Sequence, residues 1–483
     1  MKRAKVILGS GAALTLLLSA CSLAPPLKTP VIPAGDAYKE IGPWTAAQPA
    51  DRLPRDSWWA LYGNAELDGL EKTLIDGNPT LAAALANYAQ ARALADQARA
   101  GLFPTLSLNG SAERNRESIN APLRGPTTPT YYNANTLGGS VSYELDLWGQ
   151  IRNEVAAGEA NAAASAADLE NARLSLIAQL VDDYIQLRSL DRDSAILDET
   201  VQAFTRALKL TEQRHDAGIA PGLDVSQAQT QLNVALSQAA QTLAQRALME
   251  HAIAALLGVS ASTFSLKPEI VDIKLPQTPS GVPSTLLERR PDIAGAQRRM
   301  IAANANIGVA RAAYFPSLNL GAQGGFQSTA VSNWLSAPSS FWAIGPNALL
   351  SVFDGGLRRA QVAQARAEFD ASAANYRGTV VSAFQQVEDS LATLNHFHDA
   401  SIEEKAAVDA AQRTLDFSIS LYKQGATDYL TVVTSQTALL QTQLEALSLD
   451  TTQLTASVDL IRALGGGWED SERAARVSKA LEH

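Results

Sequence analysis

Apolar residues recur along this chain with two different periods, and the longer period predicts helices. From Ala65 to Ala100 they are spaced by three, four and seven positions, which is typical of one face of a helix. The residues that set this spacing are Leu67, Leu70, Leu74, Leu81, Leu85 and Tyr88. We therefore predict a helix over residues 65–100.

Two much longer segments also have helical character. Residues 149–218 and 356–425 each run for about seventy residues without a proline, so a helix over either segment would extend roughly 100 Å. In the first segment, coiled-coil spacing is kept by Leu169, Leu176, Leu180, Leu187 and Leu190. Each segment is followed by a predicted turn and a returning helix, over 223–257 and 430–464.

The shorter period is an alternation of apolar residues with polar or small residues, and it predicts four strands. These stretches are residues 106–112, 137–147, 318–326 and 344–352. Each is about ten residues long, which is the length that a tilted membrane strand requires. A half-buried sheet of a soluble protein would produce the same alternation, so the strands alone leave both alternatives open.

The segments between the paired strands favour the membrane alternative. Residues 114–135 and 327–341 contain Pro, Ser, Thr and Asn, and they are bracketed by aromatic residues of the kind that lie at a membrane interface. These aromatic residues are Tyr131, Tyr132, Trp334, Phe341 and Trp342. We expect the two segments to be outward-facing loops.

The second half of the chain repeats the first. Ala98–Leu108 returns as Ala310–Leu320, and Gly218–Val225 returns as Gly425–Val432, at a period of about 210 residues. Landmarks that return in the same order indicate a duplicated half. We divide the folded part into a first repeat, a linker, a second repeat and a C-terminal tail, over residues 58–258, 259–283, 284–468 and 469–483.

Residues 1–20 have the features of an export signal. Three basic residues precede a short apolar run, and the small-residue site before Cys21 resembles a bacterial lipobox. Cys21 is the only cysteine, so no disulfide can form, and we predict that acyl chains on this residue anchor the mature chain. An ordinary signal peptide with an incidental cysteine is the alternative. Proline-rich residues 21–57 are then an extended, lipidated tether.

Charge and hydropathy exclude some partners and architectures. The formal net charge is −10 at pH 7, so nucleic acid is not an expected partner. No run approaches the ~20 apolar residues of a membrane helix, so a mature chain that crosses a membrane would have to do so as a closed β-barrel. Because the smallest membrane barrels have eight strands, four strands per chain predict a homo-oligomer, either a dimer or a trimer.

Motifs that would indicate an enzyme are absent from the sequence. It contains no P-loop, no G-x-S-x-G and no H-E-x-x-H motif. The cluster of His396, His398 and Asp399 lies inside a predicted helix, where residues two apart point to different sides. We therefore predict no catalytic residue, no metal site and no cofactor.

Several motifs occur together between Cys21 and Trp468. They are the lipobox, Trp58-Trp59, two Phe-Pro strand openings, Arg290-Pro291-Asp292-Ile293, Asn304-Ala305-Asn306-Ile307-Gly308 and Leu464-Gly465-Gly466-Gly467-Trp468. Together they resemble the outer-membrane efflux lipoproteins of the NodT type, which are relatives of the TolC channel. The resemblance implies an α+β fold with an internal two-fold repeat. It implies a TolC-like trimer in which four strands per chain form a shared 12-strand outer-membrane β-barrel, continuous with a long periplasmic α-helical barrel.

The resemblance also implies partners. A homotrimer would lie in outer-membrane lipid, extend into the periplasm, and dock to a periplasmic adaptor (membrane fusion) protein and an inner-membrane pump of the resistance-nodulation-division class. In that family the adaptor meets the helical tip turns, which here are Gly218, Ile219, Gly425 and Ala426. From the residues alone, the two glycines could equally be helix stops and nothing more.

In related channels, hydrogen bonds and ion pairs between inner and outer helices hold the periplasmic tip closed. Asp224 and Tyr422 occupy matching places here. Some relatives carry aspartates six and nine residues beyond the second tip glycine, where this chain has Thr431 and Thr434. We therefore expect a periplasmic gate at these residues, with a constriction that attracts cations less unless Asp428 turns inward.

The predicted function is that of a passive exit duct. A pump would supply the energy, an adaptor would open the tip, and the channel would conduct drugs or other small toxic compounds past the outer membrane. Two alternatives stay open at this point. One is a channel for an ABC-type secretion system, and the other is a periplasmic coiled-coil scaffold lipoprotein that conducts nothing.

Overall fold

The computed structural model describes residues 22–30, 38–40, 57–120, 122, 125, 127–276 and 290–466. Its helices are α1 (Ala65–Gly77), α2 (Pro79–Ala100), α3 (Gln150–Asp216), α4 (Gly222–Leu256), α5 (Pro291–Ala312), α6 (Leu357–Lys423) and α7 (Tyr429–Ala463). Its strands are β1 (Thr105–Arg116), β2 (Tyr131–Glu144), β3 (Ser317–Ser328) and β4 (Ser340–Leu349). Short 3-10 turns cover Trp58–Tyr62, Ala261–Thr263, Val331–Asn333 and Ala337–Ser339.

The order and lengths of these elements confirm the internal repeat. Helices α2 and α5 have 22 residues each, α3 and α6 have 67 each, and α4 and α7 have 35 each. In both halves two strands separate the first of these helices from the second. The residue bounds that we assign to the two repeats stay a prediction.

The described residues fall into two compact units, and each unit draws on both halves of the chain. One unit is built mainly from residues 87–166 and 295–377, which include all four strands. The other is built mainly from residues 57–86, 167–276 and 378–466. Among the described residues, no helix has the length and apolar character that crossing a membrane requires.

The strands form one antiparallel sheet in the order β1-β2-β3-β4. Residues paired directly across two strands project to the same face, so the register sorts the side chains into rows. Apolar rows alternate with rows of mainly polar or small residues across all four strands. An apolar row is Leu106, Val141, Ala322 and Ile344, and the next row, on the other face, is Ser107, Ser140, Gln323 and Ala343.

The strand ends differ from the sequence prediction. The β1–β2 ladder continues as far as the pair Arg116 and Tyr131, so the loop between them is shorter than the predicted 114–135. The pairing of β1 with β2 extends beyond the segment in which apolar residues alternate, because the two strands of a hairpin are held together by backbone hydrogen bonds and not by side chains. Strand β4 begins at Ser340 and ends at Leu349, whereas alternation alone placed it over 344–352.

The helix predicted over residues 65–100 is two helices. Asn78 separates them with an extended backbone (φ −70°, ψ 122°), because a residue that precedes a proline is disfavoured in the helical conformation. The Asn78 side chain accepts a hydrogen bond from the Leu81 backbone N–H at 2.9 Å and donates one to the Leu256 carbonyl at 2.7 Å. It therefore caps α2 and ties the start of that helix to the end of α4.

A buried ion network holds the segment that follows α4. Arg188, which is 1 % exposed, donates to Asp191 at 2.7 Å, and Asp191 also accepts from Arg246 at 2.6 Å. The two arginines also donate to the Lys267 and Leu266 carbonyls, at 2.9 and 2.7 Å. Removing one partner from such a network leaves a buried charge without compensation, which costs about 3–5 kcal/mol.

Candidate functional site

The turns between the paired long helices have the same geometry. Gly218 and Gly425 are left-handed, with φ of 72° and 76°, and each donates its N–H to the carbonyl three residues earlier. The next residue, Ile219 or Ala426, donates to the carbonyl five residues earlier at 2.8 or 2.9 Å. This is the Schellman motif that ends a helix at glycine. All four residues lie on the surface.

Near these turns the structure brings Tyr422 and Asp224 together. The Tyr422 hydroxyl, on α6, donates to Asp224 Oδ2, on α4, over 3.4 Å. The ring of Tyr422 lies 5.3 Å from that of Tyr429 on α7, and the Arg214 guanidinium lies 4.7 Å from its centre. Residues of α3, α4, α6 and α7 therefore converge on one tyrosine.

Burial further favours the neutral form of the two tyrosines, which a tyrosine already has at neutral pH. It raises the pKa of Tyr422, and it raises the pKa of Tyr429 to about 12. For Tyr422, hydrogen bonding to Thr211 and the charge of Arg214 oppose this rise in pKa. Both hydroxyl groups therefore keep their protons at neutral pH, and Tyr422 acts as the donor to Asp224.

The other predicted gate residues, Asp428, Thr431 and Thr434, form hydrogen bonds with neighbouring residues at the start of α7. Asp428 caps α7, accepting hydrogen bonds from the Thr431 backbone N–H at 3.0 Å and from its hydroxyl at 2.7 Å. These bonds lower the pKa of Asp428. The Thr434 hydroxyl donates to the Leu430 carbonyl of its own helix at 2.9 Å. The structure thus joins Asp428 to Thr431 and gives Thr434 a separate partner.

Three residues of this cluster were missed by the sequence prediction: Thr211, Arg214 and Tyr429. Tyr429 lies seven residues after Tyr422, and Arg214 lies four residues before Gly218. Both positions are close to a predicted turn, and that nearness is the one sequence signal that could have found them. Thr211 is completely buried inside α3 and carries no such signal.

The segment that follows the predicted lipidation site is fastened to helices. The Ser22 hydroxyl donates to Asn153 Oδ1 on α3 at 3.0 Å. On α5, Asn304 donates to the Pro25 carbonyl at 2.9 Å and Arg311 donates to the Leu23 carbonyl at 3.1 Å. We call residues 22–25 the strap. Cys21 itself lies outside the described residues.

A glycine on α5 permits this close contact. A Cβ atom at Gly308 would lie 2.5 Å from Asn153 Nδ2 and 2.9 Å from the Ala24 backbone nitrogen, both below van der Waals separation. Gly308 lies one turn after Asn304 and just before Arg311, so all three residues meet the strap along the same helix.

Comparison with known proteins decides the family of this chain. The family model described as outer membrane efflux protein matches residues 70–259 and again residues 282–466. The chain belongs to the outer membrane efflux protein family. As a member of this family, the protein is an outer-membrane channel that serves efflux. The alternative of a periplasmic scaffold that conducts nothing is therefore rejected. The two matched segments lie one in each half of the chain.

Similar proteins span nearly the whole chain. A probable efflux pump outer membrane protein of Pseudomonas putida, TtgC, is 31 % identical over 468 residues, which is 96 % of each chain. The pyoverdine export outer membrane protein OpmQ of Pseudomonas aeruginosa is 31 % identical over 468 residues, 95 % of this chain and 96 % of that protein. The solved outer-membrane channel OprN has a TM-score of 0.84 at 28 % identity and covers 93 % of this chain and all of the OprN chain. The family is a channel family and not an enzyme family.

Proposed function

We propose that three copies of this chain form the exit duct of a tripartite efflux pump. In this proposal a periplasmic adaptor binds the turns at Gly218, Ile219, Gly425 and Ala426. An inner-membrane pump of the resistance-nodulation-division class supplies the energy, and acyl chains on Cys21 anchor the complex in outer-membrane lipid. The cargo is a drug or another small toxic compound. The bond between Tyr422 and Asp224 acts as one element of a periplasmic gate.

The observation that carries this proposal is the sheet, which has one apolar face, one face of mainly polar or small residues, and two end strands. Leu106, Leu108, Trp342 and Ile344 are each at least 75 % exposed on β1 and β4, which are the end strands of the described sheet. An apolar face suits contact with lipid, and a polar face suits a water-filled lumen. Pairing β4 of one copy with β1 of the next would satisfy both end strands. Three copies would then supply twelve strands.

The internal repeat predicts the register of that pairing. Ser140 on β2 pairs with Gln323 on β3. Ser140 pairs with Ser107 on β1, and Asn347 on β4 pairs with the residue of β3 that is equivalent to Ser107 in the repeat. Asn347 is therefore the second-half equivalent of Ser140. Gln323 corresponds in the same way to Ser111 on β1. If the junction between copies repeats the junction between halves, Asn347 faces Ser111 of a neighbouring copy.

Cysteine cross-linking tests this assembly. The Asn347→Cys, Ser111→Cys double variant is oxidised in outer membranes, and the products are separated by denaturing electrophoresis. We expect covalent dimers and trimers. The matched control is Asn347→Cys with Ala112→Cys, in which the second cysteine points to the other face of the sheet. Absence of covalent products from the first pair, or equal yields from both pairs, would contradict the proposed trimer.

A further inference from the structure

A cavity of about 350 Å³ lies between α3, α6 and α7, close to the tip turns. Aromatic and aliphatic side chains form most of its wall. They include Phe204 and Leu210 on α3, Ile419 and Tyr422 on α6, and Tyr429 and Val432 on α7. This volume falls within the range of pockets that hold small organic molecules, and a wall of this composition favours an aromatic ring.

One polar group in this wall has no partner. Gln436 is 5 % exposed, and its Oε1 atom is buried without a hydrogen bond. An acceptor left unpaired in an apolar environment costs free energy that a bound donor would recover. The wall of the cavity therefore offers a hydrogen-bond acceptor to a ligand.

The charged residues of the wall are both basic. Arg206 and Lys423 line the cavity, and no Asp or Glu is found among its lining residues, all of which lie in the described part of the chain. The protein as a whole has a formal net charge of −10, so this local excess of positive charge is opposite to the average. An anionic ligand matches the cavity better than a neutral or cationic one.

We propose that this cavity binds a small aromatic carboxylate that carries a hydrogen-bond donor. The ring would occupy the apolar space, the donor would bond to Gln436 Oε1, and the carboxylate would lie near one of the two basic residues of the wall, Arg206 or Lys423. The test below measures binding and not conduction, so its outcome does not depend on the exit-duct proposal.

The probe is 4-hydroxybenzoate, which has a phenolic donor at one end and a carboxylate at the other. Isothermal titration calorimetry on the purified, full-length oligomer should show saturable binding, about tenfold tighter than for benzoate or for the neutral 4-hydroxybenzyl alcohol. Failure of the probe to bind would overturn the proposal. Equal affinity for the probe and the neutral alcohol would do the same.

Two variants assign the site. In Gln436→Leu the affinities for 4-hydroxybenzoate and benzoate should become equal, because the acceptor is gone. In Ala203→Leu the cavity is partly filled, and binding should be lost. The matched control is Gln241→Leu, at an exposed position of α4, which should bind as the parent does. Unchanged discrimination in Gln436→Leu, or unchanged binding in Ala203→Leu, would place the ligand elsewhere and overturn the assignment.

Discussion

Tyr422 on α6 donates a hydrogen bond to Asp224 on α4 over 3.4 Å, and this bond joins the returning helix of the first half to the long helix of the second. The bond is long, so it is weak, and a single one contributes about 0.5–1 kcal/mol. Its weakness is compatible with the proposed gate, which has to open. Three such bonds in a trimer would bias a gate without locking it.

Tyr422→Phe removes the donor and keeps the ring that contacts Arg214 and Tyr429. Because all three copies in a trimer lose the bond, about 1.5–3 kcal/mol in total, we expect the ratio of open to closed channels in planar bilayers to rise roughly ten- to hundredfold. Adding Asp224→Asn should raise it no further, because both changes break the same bond. Tyr88→Phe on α2 is the control and should behave as the parent. Fully additive effects of the two tip variants would argue against a shared bond.

Gly425→Asp changes the surface of the second tip turn. A Cβ atom at Gly425 has no neighbour within 4 Å, so the strain of a left-handed aspartate is the main structural cost. We expect drug efflux to fail in cells while the trimer persists, because an added charge opposes adaptor binding.

Gly63→Asp is the control for this variant. Gly63 is also left-handed, with φ of 64° and open space around its Cβ position, but it lies before α1 and away from the tip turns in sequence. Drug susceptibility should match the parent in Gly63→Asp. Efflux at the parental level in Gly425→Asp would show that this turn is not the docking surface.

Gly308→Ala should displace the strap. The new methyl group would overlap Asn153 Nδ2 and the Ala24 nitrogen, so we expect a loss of about 1–3 kcal/mol and faster proteolysis of the N-terminal segment. Gly378→Ala, inside α6 with open space around its Cβ position, should instead stabilise the protein by roughly 0.5–1 kcal/mol. Equal effects of the two variants on melting and on cleavage would contradict the close contact at Gly308.

Glu71 predicts a pH dependence of stability. Both carboxyl oxygens are buried without partners, and burial, together with the charge of Asp68, raises the pKa of Glu71 to about 9. Between about pH 5 and pH 9 the unfolded chain has lost this proton and the folded chain keeps it. The contribution to folding stability therefore falls as pH rises, by at most about 1.4 kcal/mol per pH unit.

Glu71→Gln should remove this dependence. The variant should melt at a higher temperature than the parent at pH 8, and the difference should shrink toward pH 5. Glu199→Gln, at an exposed position of α3, is the control and should show neither effect. A constant difference between Glu71→Gln and the parent across this pH range would show that the carboxyl of Glu71 is not held neutral.

Much of the fold could be predicted from local patterns. The alternation around Leu106 and Leu318 located the strands, and the glycines at 218 and 425 located the turns, because side-chain period and left-handed backbone are properties of short segments. The break in the helix at Asn78 was not predicted, because the apolar spacing continues past Pro79. Pro79 itself was a sequence signal for the break.

The candidate site was harder to predict because it depends on contacts between distant segments. Tyr422 and Asp224 are separated by 198 residues, and only the resemblance to a known family paired them. Thr211 and the strap had no local signal at all. Asp428 accepts two hydrogen bonds from Thr431, which is the ordinary role of an aspartate before a helix, and its place in a constriction stays a prediction.

The central claim is that this chain forms a trimeric channel, and single-channel conductance tests it most directly. Purified protein would first be weighed by native mass spectrometry and then added to a planar lipid bilayer. The account predicts a mass of three chains and discrete conductance steps. A monomer, or an oligomer that never conducts even when Tyr422→Phe and Asp224→Ala are combined, would contradict it.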